Sequence, residues 1–205
     1  MKIDRKKHWQ NVYEKKQPHE VSWTQDHPKT SLDFIRDAKL SKSAKIIDVG
    51  GGDSKLVDFL LDEGYQDITI LDISSNALER AKIRLGKKAA LVTWIVSDII
   101  DFEPEIIYDL WHDRATFHFQ TDPEQINKYI EIAKGAVKTY LILSTFSEDG
   151  PEKCSGLDVQ QYSVAALEAL LYGVFTKTTS FIEDHQTPFA TLQNFLYCGF
   201  KRNTN

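Results

Sequence analysis

The chain's chemistry is concentrated in two stretches. The first is Ile46-Ile47-Asp48-Val49-Gly50-Gly51-Gly52-Asp53-Ser54-Lys55-Leu56, a strand that ends in an acid, turns through three glycines and opens a helix. Glycine lets the backbone turn through positive φ and approach a ligand with no Cβ in the way. A second strand, Ile68-Thr69-Ile70-Leu71-Asp72, also ends in a carboxylate, which suits the two hydroxyls of a ribose. Together they predict a nucleoside-containing cofactor at the carboxyl edge of a parallel sheet. The second stretch is Trp111-His112-Asp113-Arg114-Ala115-Thr116-Phe117-His118-Phe119. His112, Asp113 and His118 are candidate catalytic bases. His118 has a second reading, as a packed histidine between two phenylalanines. Arg114 is read as the ion-pair partner of Asp113 or as a bidentate clamp for an acidic substrate. Cys154, in the Gly/Pro/Ser loop 150–156, joins Arg114 as a candidate substrate contact. No histidine or cysteine pair has the short spacing of a zinc site, so no metal is expected.

The elements that must position these groups alternate. Helices are predicted over 4–16, with Trp9 and Tyr13 on one face, and over Ser31 to Lys39, with a loop at 21–25 between them. Strands follow at 45–49, 67–72, 91–96, 107–111 and 137–145. Between them lie helices at 54–63, at Ser75 to Leu85, and from Asp122-Pro123-Glu124 onward. A helix from Ser163 to Tyr172 precedes two strands, 174–184 and 190–201, linked by His185-Gln186-Thr187-Pro188. This is an α/β chain with a parallel sheet ending in an antiparallel hairpin. We read residues 1–205 as one domain, with 1–40 a helical lid segment and 41–205 a Rossmann-like core.

Two cofactor classes use such glycine loops. The dinucleotide pattern G-x-G-x-x-G would take Gly50 and Gly52, but its third position falls at Lys55, too large for close helix–strand packing. The alternative, acid-x-Gly-x-Gly-x-small, is met by Asp48, Gly50, Gly52 and Ser54. It resembles the first motif of class I S-adenosylmethionine-dependent methyltransferases, and the resemblance runs in order over residues 20–202. It implies a three-layer fold with a seven-stranded sheet and a cofactor held by Asp48, Gly50, Gly51 and Gly52. Asp72 would take the ribose and Asp98 the adenine amine, with Ile73 and Ile99 against the two ring faces. Trp23 and Gln25 would lie in a lid, although Trp23 is equally readable as core. Segments His8-Trp9, Val21-Ser22-Trp23, 111–119 and 150–156 are similar to a group of small bacterial methyltransferases.

The same resemblance excludes subclasses. The place after the fourth strand holds neither Asn/Asp-Pro-Pro-aromatic nor Pro-Cys, and Ser144-Thr145-Phe146 lacks the Asp-Asn pair of catechol-type enzymes. A net charge of −5 and a pI near 5.7 also speak against a nucleic-acid partner. The expected acceptor is a small molecule first and a protein side chain second. The rivals are an NAD-dependent oxidoreductase and a non-catalytic S-adenosylmethionine-binding protein. Two cysteines, no apolar run near the ~20 residues of a membrane span and a charged start predict a cytoplasmic protein, monomeric or homodimeric.

Overall fold

The computed structural model describes residues 4–204. In chain order the elements are α1 (Arg5–Lys15), α2 (Lys29–Asp37), β1 (Lys45–Val49), α3 (Leu56–Asp62), β2 (Asp67–Asp72), α4 (Ser75–Leu85), β3 (Val92–Val96), β4 (Tyr108–Arg114), α5 (Pro123–Ala136), β5 (Val137–Phe146), β6 (Lys153–Cys154), β7 (Leu157–Asp158), α6 (Val164–Leu171), β8 (Phe175–Gln186) and β9 (Leu192–Arg202). Seven strands form one sheet in the order β3-β2-β1-β4-β5-β9-β8, parallel as far as β5, with β9 antiparallel to both neighbours.

The apolar runs become buried strands because both sheet faces are covered. Successive side chains point to opposite faces. Ile47, Trp111 and Leu141 therefore pack with Tyr129 of α5 and Leu167 of α6, while Ile46, Leu110 and Ile142 pack with Leu32 of α2, Leu60 of α3 and Leu78 of α4. The result is the expected three-layer α/β fold with its terminal antiparallel hairpin.

Four local expectations are corrected. Helix α2 begins at Lys29 rather than Ser31, and Ser31 turns inward with 1% of its surface exposed. Strand β4 continues through His112, Asp113 and Arg114, which pair with Ile142, Leu143 and Ser144 of β5. Strand β8 includes His185 and Gln186, opposite Gln193 and Leu192, so the hairpin link shifts to 187–191 and closes through Thr187 N–H to the Thr191 carbonyl at 2.8 Å. The loop at 150–156 carries a small hairpin, β6–β7, whose turn residues Ser155 and Gly156 have φ of 50° and 78°. Positive φ at both central positions suits the twist of a two-residue hairpin turn.

Helix α1 is tied to α4 through Gln10. The Gln10 side-chain carbonyl accepts from Ser74 Oγ at 3.0 Å and Asn76 N–H at 3.2 Å, and its amide donates to Ser75 Oγ at 2.7 Å. These are groups at the start of α4, where unpaired N–H groups need acceptors. The anchor lies just past Asp72, so α1 rests across the carboxyl edge of the sheet.

Candidate active site

The strand order reverses between β1 and β4, whose neighbours lead to opposite sheet edges. A crevice opens outside the carboxyl ends of strands at such a point. Here the β1 turn and the β4 turn touch: Thr116 Oγ donates to the Val49 carbonyl at 3.3 Å. Gly50 and Gly52 have φ of 67° and 49°, the left-handed region that favours glycine, and Ala115 takes φ 69° to bring Thr116 against Gly50. A Cβ on Gly50 would lie 1.7 Å from Thr116 Oγ, and one on Gly51 2.6 Å from an Asp48 carboxylate oxygen. One on Gly52 would lie 2.7 Å from Tyr13 Oη. The glycines thus clear space for the chain's own side chains.

Two clefts meet there. Tyr13, Trp23, Gly50 and Arg114 line both and form the partition.

At one end of the first cleft stand Asp72, Ile73, Asp98 and Ile99. Asp72 is 5% exposed and accepts from Ser74 N–H at 2.7 Å; burial, above all, pushes its carboxyl up to about 7. Asp98 caps a short 3₁₀ turn by accepting from Ile100 N–H at 3.3 Å, and its other oxygen lies 3.9 Å from Arg5 Nε. Two acceptor carboxylates beside two branched apolar side chains fit a nucleoside: hydroxyl and amine donors would meet Asp72 and Asp98, and an aromatic base would lie against Ile73 and Ile99.

The other end is aromatic. Trp9 packs edge to face on Trp23 and Phe119, with centroids 5.7 and 5.1 Å apart. Phe146, Phe195, Ala115 and Cys154 continue the wall, and Arg114 is its only lining cation besides Arg5 among the described residues. Burial raises the Cys154 thiol to about 11, so it stays protonated.

The second cleft holds Asp48, Gly51, His112 and Ser31. His112 is 2% exposed, with Nδ1 2.7 Å from Asp48 Oδ1 and Nε2 2.9 Å from Ser31 Oγ. Both ring nitrogens are therefore engaged within the protein.

The three candidate bases stand off the first cleft's lining. Asp113 is fully buried, accepting from Thr116 and Phe117 N–H groups and from Tyr129 Oη at 2.5 Å; burial raises its carboxyl to about 6. It fixes the turn after β4. It forms no ion pair with Arg114, because adjacent strand residues face opposite ways: Arg114 donates instead to Tyr197 Oη at 2.8 Å and the Trp23 carbonyl at 2.9 Å. His118 is stacked on Phe146 at 4.5 Å and accepts from the Phe146 N–H, and burial pushes its pKa down to about 3. That is the packed-histidine arrangement. Arg5, Phe146 and Phe195 line the first cleft with no sequence signal as site residues. Only the spacing of Trp9 and Tyr13 hinted that α1 turned a face toward the cleft.

Residues 46–139 match the family described as a methyltransferase domain. A curated relative, the malonyl-[acyl-carrier protein] O-methyltransferase of Anoxybacillus flavithermus, is 36% identical over 109 residues, which cover 50% of this chain and 39% of that protein. Another, a mouse eEF1A lysine and N-terminal methyltransferase, is 31% identical over 84 residues, covering 40% of this chain and 12% of that protein. The chain thus spans well under half the length of these two curated relatives. Among solved structures, an S-adenosylmethionine-dependent methyltransferase from Anabaena variabilis superposes with a TM-score of 0.76 at 14% identity, covering 98% of this chain and 96% of that one.

Proposed function

For a chain that has the class I methyltransferase fold and carries a methyltransferase domain at residues 46–139, we propose S-adenosylmethionine-dependent methyl transfer to a small-molecule acceptor. The carrying observation is the cleft itself, with Asp72 and Asp98 at one end, the glycine turn in the middle and the Arg114–Phe146–Cys154 wall beyond.

In this reading Asp72 accepts from ribose hydroxyls, Asp98 accepts from the adenine amine, and Ile73 and Ile99 hold the ring. Gly50, Gly51 and Asp48, the last steadied by His112, border the amino-acid tail. When bound, the cofactor supplies an electrophilic methyl group on a sulfonium. The protein's part is position: the rigid β1 and β4 turns, locked by Thr116, set donor and acceptor at a fixed distance. Holding two reactants in attack geometry is worth up to ~7–11 kcal/mol of a barrier. His112 and His118 are engaged or walled off, so acceptors that arrive already deprotonated are favoured.

A protein side chain is the second reading, supported by likeness to the mouse eEF1A methyltransferase. Among the described residues no helix is long and apolar enough to cross a membrane. Both cysteines are buried and free, which supports a reducing, cytoplasmic setting.

Calorimetry with S-adenosylhomocysteine and with NADH tests the reading. We expect the first to bind and the second not to. Tight NADH binding with no response to S-adenosylhomocysteine would overturn it.

A further inference from the structure

Arg114 is a cation with no ion-pair partner among the described residues. Its Nε and Nη1 donate to neutral oxygens, those of Tyr197 and of the Trp23 backbone, and its guanidinium carbon sits 4.6 Å from the Phe195 ring centroid. Nη2 is buried and has no partner. Among the described residues no carboxylate lies within 4 Å of it; Glu183, on the outer strand opposite Phe195, forms no ion pair with it. Of the other titratable groups around it, burial depresses His118 and His185 and raises Tyr197 and Cys154, while the Glu183 carboxylate, whose Oε2 is buried and unpaired, acts on the same His185 and Tyr197 from beyond ion-pair distance of Arg114. A half-buried charge that leaves one donor unmet costs free energy in the empty protein. The guanidinium is nevertheless held in place from two sides and stacked from a third, which pre-organises its remaining donor, Nη2.

The wall around it is Phe119, Phe146, Phe195, Trp9 and Cys154, apolar throughout. We propose that the acceptor half of the cleft binds a carboxylate borne on an apolar or aromatic body, with Arg114 as the anchor for the carboxylate. The inference rests on the methyl-transfer reading above and deepens it by naming the substrate class. A phosphate is disfavoured, since a single unmet guanidinium donor with no lysine beside it in the lining suits a monoanion.

The test uses protein saturated with S-adenosylhomocysteine and matched probes: 3-phenylpropionate against 3-phenylpropanamide, and indole-3-acetate against its amide. Binding is followed by calorimetry and by the fluorescence of Trp9 and Trp23. Each carboxylate should bind about tenfold or more tighter than its amide, the scale of one hydrogen bond to a charged group. The preference should collapse to about twofold in Arg114→Met and survive in part in Arg114→Lys, which keeps the charge. The wild-type comparison needs no variant, so a misfolded mutant leaves the test intact. Equal binding of acid and amide, no binding by either, or tighter binding of phenyl phosphate would each overturn the inference while leaving methyl transfer standing. Failure of S-adenosylhomocysteine to bind overturns the underlying reading instead.

Discussion

Asp72→Asn should make the empty protein more stable and the cofactor bind worse. Burial holds the folded carboxyl at about 7, against an ordinary value of 3.8. Below about pH 4 the acid is protonated in both states and costs nothing. As pH rises from 4 to 7 the unfolded chain gives up this proton while the folded chain keeps it, so stability falls; above 7 the loss is complete. At ~1.36 kcal/mol per unit, a rise from 3.8 to about 7 is worth about 4 kcal/mol. Relaxation and water raise the effective dielectric, and ~2 kcal/mol is the working figure. Asparagine removes the charge and keeps an oxygen for the Ser74 N–H. For a chain of this length that is a gain of about 4–8 °C in Tm at pH 8, shrinking toward zero near pH 4.5. Thermal melts by circular dichroism at the two pH values read it directly. Binding should move the other way, with S-adenosylhomocysteine affinity falling about 10–100-fold as hydrogen bonds to a charged acceptor weaken. An Asp72→Asn variant that is less stable than wild type at pH 8, or that differs from it equally at both pH values, would refute the argument that this acid is kept at a cost to folding.

Three further outcomes follow from the same geometry. Gly50→Ala forces a Cβ to within 1.7 Å of Thr116 Oγ at a φ of 67°, and should cost more than ~2 kcal/mol, read as a lowered urea midpoint with the m value unchanged. Asp48→Ala strips the buried partner from His112 Nδ1 and should destabilise by about 3 kcal/mol, the scale for breaking a buried pair; a change below ~1 kcal/mol in denaturant titrations would deny the pair any structural weight. Gln10→Ala removes the acceptor shared by Ser74 and Asn76, and should speed amide exchange in α1 while leaving β1 and β4 protected.

The parts of the fold visible in sequence were those fixed locally. Apolar runs and glycine stops located the strands and helices, because a strand buried on both faces must be apolar throughout. The two carboxylates at one end of the cleft were legible for the same reason: Asp72 ends β2 and Asp98 follows β3 by two residues, so position follows from the element. The far end of the cleft was legible only in Arg114 and Cys154, because the rest of its wall is assembled from long-range approach. Phe195 reaches the cleft from β9, Cys154 from a small hairpin and Trp9 from α1. Ser31 looked like a helix cap and became a partner of His112, 81 residues away. The Asp113–Arg114 pairing was the avoidable error, since alternation along an extended β4 already put the two on opposite faces.

The glycine triplet carries the physical argument furthest. Its sequence pattern invites the view that each glycine makes room for a ligand, and three in a row would then be unexplained in an empty domain. In the structure each clears room for a different neighbour: Thr116 from β4's turn, Asp48 from β1 itself and Tyr13 from α1. The triplet is therefore the point where the two central strands and the lid helix close on one another. That closure sets the distance between the carboxylates at one end of the cleft and Arg114 at the other. A side chain there would act on any bound ligand indirectly, by prising apart the walls that hold it. Loss of stability and loss of binding should accordingly appear together at Gly50, Gly51 and Gly52, and in opposite directions at Asp72.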